Sequence, residues 1–204
     1  MSGAPRYERG ARRVKAKAII GATLALATLP AAAATFDASI GEEAVRVGLE
    51  GELSSVFSGA KGQYDLGALW RSENGADAFV PHVGVLLTGD TGARDAKVTA
   101  GLGVRLAYID GENNEGGAVA LGGQVDVRLP GFERVALGAY AYGAPDVTTF
   151  GDTDKYFDVG LSLGYEVIKD ASVYVGWRKV QADIDGGGEI EADDGFNVGL
   201  RLNF

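Results

Sequence analysis

Asp194-Gly-Phe-Asn-Val-Gly-Leu-Arg-Leu-Asn-Phe204, at the end of the chain, alternates strictly. Phe196, Val198, Leu200, Leu202 and Phe204 occupy one face of an extended strand, because successive side chains of a strand point to opposite sides. Gly195, Asn197, Gly199, Arg201 and Asn203 occupy the other. The same two-sided strand recurs upstream. In 155–168, Phe157, Val159, Leu161, Leu163, Tyr165 and Val167 oppose Asp158, Gly160, Ser162, Gly164 and Glu166. In 116–129, Val119, Leu121, Val125, Val127 and Leu129 oppose Gln124, Asp126 and Arg128. In 96–109, Val98, Leu102, Val104, Leu106 and Tyr108 oppose Thr99, Arg105 and small residues. Further strands are expected at 44–54, 62–73, 77–88, 133–143, 171–182 and 194–204, and no segment carries a useful helical period.

The N-terminus assigns a compartment. Arg6, Arg9, Arg12, Arg13, Lys15 and Lys17 precede an apolar run from Ala18 to Leu29, and Pro30 and the small residues Ala31–Ala34 follow. Basic, apolar and small-residue regions in that order predict a secretory signal peptide over 1–34, cleaved near Ala33 or Ala34. The apolar run is shorter than the roughly 20 residues a membrane helix requires. The second domain is then 35–204. Residues 1–34 hold six basic residues and one acid, so the mature chain carries about −14 against −9 for the whole. Such an acidic surface excludes nucleic acid as a natural partner. With no Cys there is neither a disulfide nor a lipid-bearing thiol, and a closed barrel needs none because every strand edge is paired.

Strands of this kind fit either a soluble up-and-down barrel with apolar residues inside or a membrane barrel with them outside. Aromatics near strand ends (Tyr64, Trp70, Tyr108, Trp177, Phe204) match interfacial girdles, and the polar faces are rich in Gly, Ala and single charges. The terminal strand itself resembles the C-terminal sorting signal of bacterial outer-membrane barrels, carried by Phe196, Val198, Leu200, Leu202 and Phe204. The expected fold is therefore all-β, an antiparallel transmembrane β-barrel in the bacterial outer membrane. Nine candidate strands conflict with an even count. Either eight form the wall, the preferred number, or a short strand near Phe36–Ile40 makes ten. Short links at 89–94, 130–131 and 169–170 alternate with longer acidic ones after 109, 143 and 182, which places the acidic loops outside the cell.

An Arg facing lipid at mid-membrane costs ~2–4 kcal/mol, so the arginines of the polar faces must point inward. Arg71, Arg105, Arg128, Arg178 and Arg201, with Arg46, are expected in the lumen beside Asp65, Asp126, Asp158 and Glu166, with Glu50 and Glu52, as a paired network that fills it. This implies a structural or surface-interacting barrel. A narrow ion or solute channel is the alternative, and a lipid-modifying enzyme the third reading. His82, the one histidine, lies beside Pro81 on a strand with no Ser two residues away, so it reads as an inward polar residue and no catalytic set is assigned.

Asp183-Ile-Asp185-Gly-Gly-Gly188-Glu189-Ile190-Glu191-Ala-Asp193-Asp194 matches a calcium loop at several positions, with Asp183, Asp185, Glu191 and Asp194 as acids and Gly188 at the turn. Gly187 cannot ligate, and the flanks are strands, so the main reading is an acidic hairpin tip. Weak Ca²⁺ or Mg²⁺ binding, linked to lipopolysaccharide, is the alternative, and Asp110–Glu115 is a weaker segment of the same kind. No other cofactor is implied. The expected partners are outer-membrane lipid and lipopolysaccharide, with the barrel-assembly machinery during biogenesis, and the expected state is a monomer.

Tyr140-Ala-Tyr142 running into Gly-Ala-Pro145-Asp146 resembles the YfaZ family of outer-membrane proteins. So do the hairpin from Gly164 to Arg178, Gly41-Glu42-Glu43 and the final strand. The resemblance covers most of the mature chain and is strongest over 133–204. It implies an outer-membrane barrel and transfers no catalytic residue.

Overall fold

The computed structural model describes residues 34–55, 62–73, 76–92, 96–111 and 114–204, so the expected signal peptide lies outside them except for Ala34. Eleven strands follow in order among the described residues: β1 (Ala34–Gly41), β2 (Ala44–Glu52), β3 (Gln63–Glu73), β4 (Ala76–Asp90), β5 (Lys97–Asp110), β6 (Glu115–Arg128), β7 (Val135–Ala144), β8 (Thr149–Gly151), β9 (Thr153–Ile168), β10 (Ala171–Ile184) and β11 (Gly188–Asn203). All but β8 pair antiparallel with both neighbours, and the ring closes where Thr35–Gly41 of β1 meets Asn203–Asn197 of β11. The short β8 pairs only with Gly116–Ala118 of β6, on the edge that β7 occupies further along, so it extends β7's ladder rather than adding a wall strand.

The wall therefore has ten strands, and the preference for eight is corrected. The deciding element is β1, whose Phe36, Ala38 and Ile40 alternate with Thr35, Asp37 and Ser39. Without it, β2 and β11 would expose bare edges, which closure abolishes. Its pattern is short and follows directly on the signal region, so it stands out little in the sequence.

Both ends of the wall can be placed by register. At the base, where Thr35 faces Asn203, lie the ends of β2 and β4, the starts of β3 and β5, and the links 129–134 and 169–170. At the crown lie 42–43, 145–152 and 185–187, with the ends of β3 and β5 and the starts of β4 and β6. The expected alternation of ends holds, but not the expected lengths. β10 continues to Ile184 and β11 begins at Gly188, so the acidic segment after 182 is mostly strand with a tip at 185–187. Gly186 and Gly187 make that tip with φ of +83° and +96°, a region that favours glycine.

Outward faces are apolar along the wall: Val83, Val85 and Leu87 on β4, Leu102, Val104 and Leu106 on β5, and Phe196, Val198 and Leu200 on β11 are all exposed. The outward charges Lys155, Lys179, Asp183, Glu191 and Asp194 sit toward the crown. The predicted girdle aromatics carry outward parity, and Trp70 stacks on Phe79 at 5.3 Å near the crown. Pro81 lacks an N–H, and the β4–β5 ladder is interrupted between Phe79 and His82 accordingly.

The interior is filled in two parts. Toward the crown the inward face is apolar and buried, with Leu69, Val80, Ile109, Val180 and Ala182 packed against Tyr142 and Tyr156. This dry layer departs from the all-polar lumen expected from alternation. Toward the middle and base the inward face is charged. A bulge at Ala192, where β11 gains a residue against β10, turns both Ala192 and Asp193 inward.

One interval in the wall is closed by side chains. β1 and β2 turn at Glu42-Glu43, and above that turn β11 has a ladder only toward β10. Arg71 spans the interval, donating Nη1 to the Glu191 carbonyl and Nη2 to the Glu43 carboxylate.

Candidate functional site: the charged lumen

Every arginine and acid assigned to the lumen carries inward parity in the strand register, since Arg46 faces Ser39, Glu50 faces Asp65, Asp126 faces Thr99, and Arg178 faces Gly160. Arg71 closes the wall interval near the crown and Glu52 accepts from Ser54 Oγ at 3.1 Å; the structure divides the others into three groups.

The first is a seal beneath the apolar layer. Arg105 donates Nη1 to Asp158 Oδ2 at 2.6 Å, and Nε and Nη2 to Asp65 Oδ2 at 3.1 and 2.5 Å. His82 Nε2 lies 3.3 Å from Asp65 Oδ1, which places the one histidine inward as expected and occupies it structurally. The Arg105 guanidinium lies 3.8 Å from the Tyr142 ring centroid, and Arg46 donates to Tyr140 Oη at 2.7 Å. Arg105, Asp65, Asp158 and Tyr142 are each 4% exposed or less, so this level of the lumen is packed with side chains.

The second group is a pair of separate clasps. Arg178 donates Nε to Asp193 Oδ2 at 2.5 Å and Nη1 to Ser39 Oγ at 3.2 Å, joining β10, β11 and β1. At the base, Arg128 donates to Glu166 at 3.1 Å with both side chains substantially exposed.

The third is a chamber of about 310 Å³ below the seal, lined by Asp37, Glu50, Asp126, Arg201 and the amides of Gln63 and Gln124. Asp37 accepts from Tyr174 Oη at 2.8 Å and from Arg201 Nε at 3.3 Å. Its lining reaches Thr35, Thr88, Thr99 and Arg128 at the base.

Large side chains fit because glycines face them. A Cβ on Gly160 would lie 2.5 Å from the Tyr140 ring, and one on Gly199 would lie 2.3 Å from Tyr174. Sequence reasoning missed Asp37, Asp193 and the inward tyrosines Tyr140, Tyr142, Tyr156 and Tyr174. The signal lay in β7, where Tyr140 and Tyr142 alternate with Ala139 and Ala141 and share parity with Gly138. Asp193 could not be found by parity, because the bulge shifts it.

The acids of the expected cation loop do not converge. Asp183 faces Glu189 across the hairpin and accepts from Gln181, while Glu191 and Asp194 are both engaged by Lys179, with Asp194 at 2.7 Å. Asp185 is exposed at the tip. Asp110 and Glu115 pair at the ends of β5 and β6, where Tyr108 Oη donates to Glu115 at 2.8 Å.

Three comparisons place the chain among known proteins. The model of the YfaZ precursor family matches residues 14–204. No curated protein matches the chain. Among solved structures, the chain is similar to the KdgM porin, with 9% identity over 84% of this chain and 99% of that one and a TM-score of 0.42. It is also similar to the outer membrane channel DcaP of Acinetobacter baumannii, with 13% identity over 82% of this chain and a TM-score of 0.36. The chain spans 54% of the length of the DcaP chain.

Proposed function

We propose that this chain, which belongs to the YfaZ precursor family and lies in the bacterial outer membrane, is a closed barrel that works as a structural or surface-interacting element. The observation that carries the reading is the seal, Arg105 with Asp65 and Asp158 under the Tyr142 ring, stacked beneath an apolar layer. Ions crossing the lumen would have to part buried, charge-assisted hydrogen bonds and then enter a dry core, and both steps are unfavourable. In this orientation the base faces the periplasm and the acidic crown faces the exterior. Lipopolysaccharide and lipid are its natural contacts, and the monomer suffices to close the wall.

A planar bilayer holding the refolded protein tests the reading. The expected record is a flat baseline at potentials of either sign. Reproducible single-channel steps would replace this reading with the narrow channel. One observation favours that second reading: the chamber already reaches from the base to mid-lumen, so only the seal and the apolar layer separate the two sides. Catalysis has less support, because the imidazole of His82 is buried against Asp65 and no serine hydroxyl bonds to it among the described residues. Lipid A of unchanged mass in cells with and without the protein is the expected result.

A further inference from the structure

Where the wall crosses lipid its outward face is apolar, but at the crown the hairpin of β10 and β11 reverses that order. Val180, Ala182, Ile184 and Ala192 point inward and are buried, while Gln181, Asp183, Glu189 and Glu191 point outward. One packed face and one wetted face mark an element with water above it and a dry core beneath. The hairpin also reaches across the mouth. A Cβ added to Gly111, just past the end of β5, would lie 2.7 Å from Ile190 Cδ1.

The two edges of this hairpin are held differently. On the β10 side the ladder to β9 runs on to Ile184 opposite Thr153, and the Asp185 N–H donates to the Asp152 carbonyl at 2.9 Å. On the β11 side no described strand pairs with residues 188–196 other than β10. That edge is tied across the interval by Arg71, which binds the Glu191 carbonyl and the Glu43 carboxylate and lies 3.7 Å from Glu191 Oε1. Lifting it parts side-chain bonds and apolar contacts but no described ladder, whereas parting β10 from β9 breaks a ladder along both strands. Segments held by so few backbone bonds open at the low end of a protein's range of local stabilities.

We propose that the β10–β11 hairpin is a flap over the crown mouth, with β9 as its hinge side and Arg71 as its latch. A guanidinium suits the task, because its fork of donors engages one acceptor on each side of the interval at once. When the latch parts, Ala182, Ile184 and Ala192 leave with the flap, and the rest of the apolar layer, Ala118 of β6 included, faces the opening. The seal around Arg105 stays below, so the flap governs entry from the crown alone and goes beyond the closed-barrel reading.

The chain has no cysteine, so engineered thiols report on it directly. Ala118→Cys places one in the apolar layer at a site 0% exposed, and its reaction with a hydrophilic maleimide is timed on the refolded full-length barrel in detergent. The expected labelling is slow with Arg71 in place and about tenfold faster with Arg71→Gln, the factor that loss of one charge-assisted hydrogen bond gives an opening equilibrium. Adding Gly111→Cys and Ile190→Cys, whose side chains meet closely enough for a disulfide, should return the rate to the slow value once that bond is oxidised. Ser162→Cys, in the chamber below the seal, should label at one rate whether position 71 holds Arg or Gln. Glu43→Gln removes the other half of the latch and decides the matter if Arg71→Gln does not refold. An unlatched barrel that labels no faster at position 118 would overturn the proposal. So would acceleration that the disulfide leaves in place, or that Ser162→Cys shares, since either signals general loosening. Labelling needs no current across the barrel, so flap and seal can fail separately.

Discussion

Replacing Arg105 by Leu removes the cation from the centre of the seal. The guanidinium is 3% exposed and makes three hydrogen bonds to Asp65 and Asp158, themselves 4% and 2% exposed. Removing one partner of a buried pair costs about 3–5 kcal/mol, mostly because the charge left behind has no compensation. Two carboxylates are stranded here, while the new leucine returns part of the loss by filling apolar space against Tyr142. A net loss of about 4 kcal/mol is expected. With a urea dependence of about 2 kcal/mol/M, the unfolding midpoint in lipid vesicles should fall by about 2 M. Trp70 and Trp177, both on the outer face, report the transition by fluorescence. The decisive control is the triple variant Arg105→Leu, Asp65→Asn, Asp158→Asn, which removes the stranded charges and should recover most of the lost midpoint. A single variant with an unmoved midpoint would refute the reasoning, and so would a triple variant no more stable than the single.

Arg128→Leu should behave differently from Arg105→Leu: its pair with Glu166 is 42% and 34% exposed, so solvent screens it and the midpoint should fall by less than about 1 kcal/mol equivalent. Gly160→Ala, which drives a methyl into the Tyr140 ring at 2.5 Å, should cost about 1–3 kcal/mol in the same urea assay. Gly195→Ala, with nothing within 4 Å, should stay within about 0.5 kcal/mol of the parent. Leu102→Arg, on the lipid face of β5 and 76% exposed, should lose ~2–4 kcal/mol in bilayers. A loss as small as that of Gly195→Ala would argue that this face does not meet lipid.

The wall was legible in the sequence because its solvent is asymmetric. Lipid on one side forces the outward positions of β5, β6, β9 and β11 below the charged crown to be apolar, and that produces a period of two. The lumen imposes no such rule. Leu69, Val80 and Ile109 point inward from strands whose outward residues are also apolar, so parity cannot tell the dry layer from the lipid face. Arg105, Arg178 and Arg201 were placed inward correctly, because a charged side chain on an apolar-backed strand has only one tolerable direction. Their partners were less legible. Arg105 reaches Asp65 across β4 and Asp158 on a strand 53 residues away, a choice set by barrel closure.

Strand number, glycine content and the inward tyrosines are one problem solved together. Eight strands enclose a lumen just wide enough for side chains, and ten enclose more. Filling the larger ring without solvent requires long side chains reaching across it, and β7, β9 and β10 supply Tyr140, Tyr142, Tyr156 and Tyr174. A ring that leaves its own strand for the lumen needs a flat neighbour to lie on. Gly160 on β9 lies beside Tyr140, Gly122 on β6 beside Tyr142, and Gly199 on β11 beside Tyr174. The chain's 32 glycines are thus partly explained by packing, since any Cβ at these three sites would meet ring atoms at 2.6 Å or less. The same arrangement fixes where the charges go. Tyr140 and Tyr142 bring their ring faces under Arg46 and Arg105, holding both guanidinium groups at the level of the seal. At the level of Glu50 and Asp126 the lumen opens into the chamber.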